Sequence, residues 1–493
     1  MKLINFLKKN AIWILIIFFG LLYALWSVNR HNHFQTDAID LGIFDQPMWL
    51  WSRFKVPLST VKWNQYPGAH ILGDHFHPIL IIFSFLFRIW DDVRVLLLAQ
   101  AVFVALAVYP IYLTANKILK SSALALSISF SYLSFIGVQS AIDYDFHETA
   151  LAVLPLSLAL YAVTFEKWRL YFVSFFLGLL FKEDMPLMFA GIGLFSSLKW
   201  LKDKQKGKRV IFGLLTVVLS MIYYFSVTKV FIPYFKNGEP WQYEELDPRI
   251  GETTVDLIKT FFTRPWVVFQ VMFSPSLKVK TMTNYFASFG FIPFLSPFSV
   301  FMLLPNFIGR FLTDLPQRWL IRFQYSVNIV PALAYGTIFG IKSTMGKLRG
   351  LGVMWGKRFT LLLPFFIVFC SLFQTYRTNT PLFRMLDWRN YQSQDRFAIN
   401  YKLLSLIPKD ASVMAQSAFV PHLSHREIVY RYEDNLIDTG KPEYVLMSLD
   451  ESSDPPYVKI DLESKIEILR KNMNYQEIYW DGTRLLMKRK AQQ

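Results

Sequence analysis

The 493-residue chain has a single cysteine, Cys370. No disulfide framework can form within it, and redox compartment cannot be read from it. Charge is scarce as well. Asp, Glu, Lys and Arg make up 18% of the residues, where soluble domains run nearer a quarter. With 53% hydrophobic residues gathered in long runs, this excludes an ordinary soluble enzyme and points to a polytopic membrane protein. Acidic residues are the minority, leaving a net charge of +16. The Lys and Arg fall in short clusters between apolar segments, where they orient helices rather than bind nucleic acid. A Gly-rich phosphate loop and a soluble nucleotide-sugar site are both lacking. Ionisable residues at mid-span are few, and internal repeats are not evident by eye.

A membrane span needs about 20 apolar residues. The first runs over 11–28, after Lys8 and Lys9. It looks like a signal peptide, but Asn29-Arg30-His31 follows instead of a small-residue cleavage site, so a retained helix is expected. A polar loop over 29–78 comes next. Residues 78–90 are apolar but short, which suits a juxtamembrane helix at the interface. Further spans are expected over 93–114, 123–138, 150–165, 170–181, 186–198 and 210–231. A long polar segment covers 233–280. Pro293, Pro297 and Pro305 break 284–312 into discontinuous helices, and 325–341 and 359–376 complete about eleven spans. With the N-terminus inside, the basic clusters Lys199–Arg209 and Lys342–Arg358 share one side, as the positive-inside rule requires. All eight histidines then fall on the other. From residue 380 the pattern changes. Amphipathic helices alternate with short Val-, Ile- and Tyr-rich strands, and Asp481-Gly482 marks a hairpin turn. This predicts a membrane module over 1–379 and a small α/β domain over 380–493 on the outer face.

The loop over 29–78 holds Asp37, Asp40, Asp45 and Asp74, and five of the eight histidines: His31, His33, His70, His75 and His77. It is threaded with Phe44, Met48, Trp49, Trp51 and Trp63, and reads as a structured, amphipathic lid; the plainer reading is an ordered loop anchored by its aromatics. Three outer clusters converge by topology. The first is Asp37, Asp40, Asp45 and Gln46; Asp37 and Asp40 share a face if the segment is helical. The second is Asp74, His75 and His77, whose His-x-His pair beside a carboxylate suits a divalent metal; the alternative is that the histidines cap and orient the helix from Pro78. The third joins Asp143, Asp145, His147 and Glu148 to Lys182, Glu183 and Asp184, at helix ends where such residues are either functional or interfacial caps.

The stretches AIDLGIFDQPMW, GDHFHPIL, IDYDFHETAL, FKEDMP and SVMAQSAFVPHLSHREIVY resemble, over nearly the whole chain, a family of prokaryotic integral membrane proteins known as a domain of unknown function. That family in turn resembles the GT-C glycosyltransferases, polytopic enzymes that use polyprenyl-phosphate-linked sugars at the outer face. The resemblance implies a GT-C-like fold and an essential acid in the first outer loop. Asp40, within DLGIFDQ, is the better match and Asp37 the second. Where many GT-C enzymes have Asp-Glu or Glu-x-Asp, this chain has Asp-x-x-Asp. The implied partners are a polyprenyl-phosphate donor and membrane lipid, with a divalent metal as the possible cofactor.

The residue types suit that chemistry. Sugar transfer needs a base for the acceptor hydroxyl and positive charge for the departing phosphate. Asp40 and Asp37 are the candidate catalytic residues. Asp45, Gln46, Asp145, His147, Glu148, Lys182, Glu183, Arg310 and Arg322 are candidates for substrate binding. A transporter or flippase for a lipid-linked or small polar substrate is the alternative, suited by broken helices near Pro293 to Pro305. Oligomeric state is left open.

Overall fold

The computed structural model describes residues 2–62, 69–199, 207–241, 245–349, 353–451 and 459–491; Trp63 and part of the 199–209 basic cluster lie outside them. Helices dominate. Lys2–Asn32 opens the chain and Val353–Thr378 closes the membrane module. Among the described residues, four helices are long and apolar enough to cross a membrane: 10–32, 94–119, 207–235 and 361–378. Ser122–Leu133 and Ile136–Ile142, bent by 43°, make a fifth if they form one span. Other segments expected to span fall on apolar helices of 10–17 residues, among them Trp168–Leu179 and Met185–Lys199. These are shorter than the about 20 residues of an untilted crossing.

Two expectations need correction. Residues 233–280 are not simply a polar segment, for Thr254–Thr263, Pro265–Phe273 and the start of Ser276–Ala287 are helical. A capping box between Thr253 and Asp256 starts the first, and Pro265 occupies the first turn of the second, where its missing N–H costs nothing. Of the three prolines, Pro293 and Pro297 do bracket the break, but Pro305 lies inside Pro297–Phe311 without ending it. The loop over 29–78 is largely ordered into turns and helices. It contains one π-helical turn, Ala38–Gly42, running into the helix Ile43–Ser52. The short helix Leu80–Ser84 and the tight turn Phe85–Arg88 follow, with Ile82, Phe85 and Ile89 exposed, as suits an element lying at an interface.

The C-terminal strands are β1 (Val413–Ala415), β2 (Val429–Arg431), β3 (Tyr444–Ser448), β4 (Tyr475–Trp480) and β5 (Arg484–Arg489). Their order is β2-β1-β3-β5-β4. The first three are parallel; β5 is antiparallel to β3 and β4. Alternate side chains go to opposite faces. Val413, Ala415, Tyr444 and Leu446 pack with Phe397 and Leu403 of the helix Asp395–Ser405. Met414, Val445 and Met447 pack with Leu462, Ile466 and Leu469 of the helix Lys459–Arg470. The first face also takes in Phe34, Ala38 and Val61. The small domain's core is thus completed by the first loop of the membrane module.

Candidate functional site

Three chain segments meet beneath the small domain: the π-helical turn with its flanks, the turn 143–148, and the turn 180–184. Arg30, at the end of the first helix, organises one side. Its guanidinium lies 2.9 Å from Asp145 and 3.8 Å from Asp143. The backbone N–H of Asp37 donates to the other Asp145 oxygen at 2.8 Å. Burial pushes the Asp145 carboxyl up, Arg30 opposes this, and the neighbouring Asp37 and Asp40 add to it. Gln100 fixes the turn: its amide donates to the Asp145 carbonyl at 2.9 Å and its oxygen accepts the His147 N–H at 2.7 Å. Asp40 leaves the π-helical turn toward His147, with Oδ1 3.2 Å from Nε2. The ring of Tyr144 stacks on His147 at 5.6 Å. Its hydroxyl contacts Asp40, and burial together with that carboxylate raises the phenol's pKa.

The second half of the site is a buried ion cluster. Lys182 Nζ lies 3.2 Å from Glu148 Oε1. Glu183 meets His75 Nδ1 at 2.6 Å and accepts the Phe76 N–H at 3.0 Å. Burial works against the Lys182 charge, but Glu148, Glu183 and Asp184 outweigh it and raise its pKa. Burial also disfavours charge on Glu183, yet His75 and Lys182 prevail and bring it down to about 2. Asp184, buried next to other carboxylates, is pushed up to about 6. Phe44 joins the two halves, its ring 5.5 Å from His77 and 5.8 Å from His147. Several buried polar atoms here have no hydrogen-bond partner among the described residues: both His77 nitrogens, His147 Nδ1, Glu148 Oε2 and Asp184 Oδ1. Desolvated polar groups of this kind are costly unless a ligand or water completes them.

The floor comes from a distant segment. The turn Gln324–Ile329 packs against Ile136–Ile142 at Gly137, where any Cβ would fall within 2.7 Å of the Ser326 backbone oxygen. That close approach brings Tyr325 into the electrostatic field of Lys182 and Tyr144. Arg310 is buried beneath the same turn. It donates to Tyr285 Oη at 3.0 Å, Ser326 Oγ at 3.2 Å and the Arg318 carbonyl at 2.8 Å, and it pairs with no carboxylate among the described residues.

Asp37, Asp40, Asp145, His147, Glu148, Lys182 and Glu183 are therefore brought together as the sequence suggests, whereas Arg310 is held by Tyr285, Ser326 and the Arg318 carbonyl. Others are not. Gln46 is fully buried in the joint with the small domain. Its amide donates to Thr60 Oγ1 at 2.8 Å and to the Glu427 carbonyl at 3.0 Å, and its oxygen accepts the Thr60 N–H. Asp45 belongs to the same joint, 3.1 Å from His425 Nε2. Arg322 is exposed and makes no ion pair among the described residues. The expected metal ligands do not converge: Asp74 pairs with Lys62 at 2.6 Å, His75 with Glu183, and the rings of His75 and His77 are 6.3 Å apart. Among the described residues no three His, Cys, Asp or Glu side chains are placed to share an ion. Arg30, Tyr144 and Tyr325 escape the sequence reading. Tyr144 stands inside the IDYDFHE stretch and was within reach; Tyr325 carries no local signal.

The joint borders an open cleft of about 770 Å³, lined by His31, Trp49, Arg94, Tyr401, His422 and His425 among others. The rings of His31 and His422 stack at 4.0 Å. His425 is clasped between Asp45 and Asp91, with Nδ1 2.9 Å from the latter, and Trp49 stacks on it at 5.7 Å.

Residues 30–483 match the family described as a predicted membrane protein, DUF2079, and the chain belongs to that family. No curated protein matches it. Solved structures that share its fold include two crystal structures of one protein. ArnT from Cupriavidus metallidurans in the apo state superposes with a TM-score of 0.54 at 11% identity, over 97% of this chain and 98% of that one. The same protein bound to undecaprenyl phosphate gives 0.51 at 11% identity, over 98% of each chain.

Proposed function

We propose that this chain is a membrane glycosyltransferase of the GT-C type, which moves a sugar from a polyprenyl-phosphate donor to a hydroxyl of an envelope acceptor. The reaction takes place at the outer face of the plasma membrane, with the N-terminus cytoplasmic and the small domain outside. The observation that carries this reading is the Asp40–His147 pair. It is an acid–base couple at the ends of apolar helices, in a fold shared with a protein crystallised with undecaprenyl phosphate.

In the proposed reaction, Asp40 takes the acceptor hydroxyl proton as the oxygen bonds to the sugar's anomeric carbon. The bond from that carbon to the lipid phosphate breaks, and the phosphate leaves with the electron pair. His147 and Tyr144 hold the Asp40 carboxylate in place. Lys182, with Arg310 and Arg322 as further candidates, supplies the positive charge that the departing phosphate needs. Asp37, three positions earlier in the same segment, is the second candidate base.

The test follows transfer from a polyprenyl-phosphate sugar in nanodiscs. Asp40→Asn keeps the shape and removes the base, and turnover is expected to fall about 10²–10⁴-fold. Asp37→Asn is expected to lose as much or less. Near-normal turnover in both variants would remove the first loop from the chemistry. Mass spectrometry of lipid retained through purification is expected to find a polyprenyl phosphate.

A further inference from the structure

In an open α/β sheet, ligands bind in the crevice past the carboxyl ends of the parallel strands, where the chain leaves neighbouring strands in opposite directions. In the small domain that point lies past β1, which has β2 on one side and β3 on the other. The crevice is filled by the chain's own first loop. Phe34 and Ala38 sit in the core beside Ala418, Phe419 and Val420. The Ala38 N–H donates to Ser417 Oγ at 3.0 Å, and Ser417 is itself buried. Gln416, just past β1, is held in turn. It donates to the Glu451 carbonyl at 2.7 Å and accepts the Ser448 N–H at 2.8 Å.

The gripped segment carries Asp40. Its wide turn is closed by the Gly42 N–H to the Asp37 carbonyl at 3.2 Å and by the Ile43 N–H to the Ala38 carbonyl. π-helical turns are rare and recur at functional sites. Ala38 and Gly42 face the small domain. Asp40, two residues on from Ala38 and about half a turn round, faces His147 on the membrane module. Gly42 is tight against its neighbour: a Cβ there would lie 3.0 Å from Val420 Cγ1.

We propose that the small domain is a clamp on the Asp40 segment: Ser417 and Val420 fix the π-helical turn from behind, and so set where the carboxylate stands against His147. Ser417 is then a positioning residue that never meets substrate. The catalytic consequence rests on the reading of Asp40 given above; the clamp itself does not.

Two measurements on the full chain in nanodiscs separate these. Hydrogen exchange is read by mass spectrometry on wild type and Ser417→Ala. The variant deprives the Ala38 N–H of its acceptor. Uptake in the peptide covering 37–43 is expected to rise, with the strands of the small domain unchanged. Turnover from a polyprenyl-phosphate sugar is expected to fall about 10–100-fold in kcat, the range a displacement of about 1 Å brings, with KM for the donor little changed. Gly42→Ala is expected to show the same split, and adding Val420→Ala, which removes the crowding methyl, is expected to restore kcat. Unchanged exchange over 37–43 in Ser417→Ala overturns the clamp. So does faster exchange throughout the small domain, or a Gly42→Ala loss that Val420→Ala does not relieve. If wild type transfers no sugar yet exchange over 37–43 responds to Ser417→Ala, the transferase reading fails and the clamp stands.

Discussion

The grip of the small domain on the membrane module should depend on pH through His425. The imidazole is held 3.1 Å from Asp45 and 2.9 Å from Asp91. Trp49 stacks on it and the edge of Phe87 closes the other side. The charged groups around it are Asp45, Asp91 and Asp92, with Arg53 on Asp91 and Arg94 on Asp92. Burial opposes charge on His425, but the two carboxylates outweigh it and lift its pKa to about 9. A rise from the ordinary 6.5 is about 3 kcal/mol of preference for the protonated form. Asp45 gives some back, because burial pushes its own carboxyl up, leaving about 1–2 kcal/mol. A group whose pKa is raised on folding stabilises fully below its unfolded value. The contribution is therefore complete below about pH 6.5 and is lost as pH rises through about 9. Thermal unfolding of wild type and His425→Gln, followed from pH 6 to 10, is expected to show a gap of about 2 °C at pH 6 that closes by pH 9.5. A gap that stays constant across that range would falsify the assignment of the charged imidazole as the latch.

Lys182→Met is expected to destabilise by about 3–5 kcal/mol, because it strands the buried carboxylates of Glu148 and Glu183; the double variant with Glu148→Gln should recover part of the Tm, and a single variant as stable as wild type would refute the ion cluster. Elemental analysis of purified protein is expected to find no stoichiometric zinc, since Asp74 and His75 already hold other partners; one firmly bound zinc per chain, lost in His75→Ala, would reverse this. A reporter fused after Gln493 and active only outside the cell is expected to work, and activity of a cytoplasmic reporter instead would mean that the proposed span count is wrong by one.

Much of the fold was legible because it rests on local patterns. Val413, Ala415, Tyr444 and Leu446 alternate with Met414, Val445 and Met447, and those alternations became the two faces of the sheet. The turn at Gly482, with φ of +92°, follows from the Asp-Gly pair. Helices 254–263 and 265–273 were harder. Val255, Ile258, Phe261 and Phe262 form an exposed apolar stripe, but Asp256, Lys259 and Thr260 alternate with them and lower the average. At the candidate site, residue types were legible and pairings were not. Asp40 meets His147 across 107 positions, and His75 meets Glu183 across 108. Such pairs are made by helix packing, which depends on close approaches like the one at Gly137. The same limit explains Asp45 and Gln46. They lie five and six positions beyond Asp40, about one and a half helical turns, which aims them at the opposite side, toward the small domain.

The distribution of buried charge bears on the choice between a transferase and a transporter. A transporter needs ionisable groups near the middle of its spans, where substrate and coupling ions are handed from one side to the other. In the membrane module the buried charged side chains stand at helix ends. Glu148 is the first residue of its helix. Lys182 and Glu183 lie between helices. Lys278 is the third residue of Ser276–Ala287 and caps the carbonyls of Val271, Phe311 and Thr313. Arg310 is the last residue but one of Pro297–Phe311. Among the described residues the long apolar helices 94–119 and 361–378 bury no charge at all along their length. Broken helices are still present near Pro297, and Arg310, near the end of the helix that follows the break, donates to Tyr285, Ser326 and the Arg318 carbonyl. An arrangement that concentrates charge, unsatisfied polar atoms and an acid–base pair at one end is suited to holding a lipid-borne substrate still while a bond is exchanged.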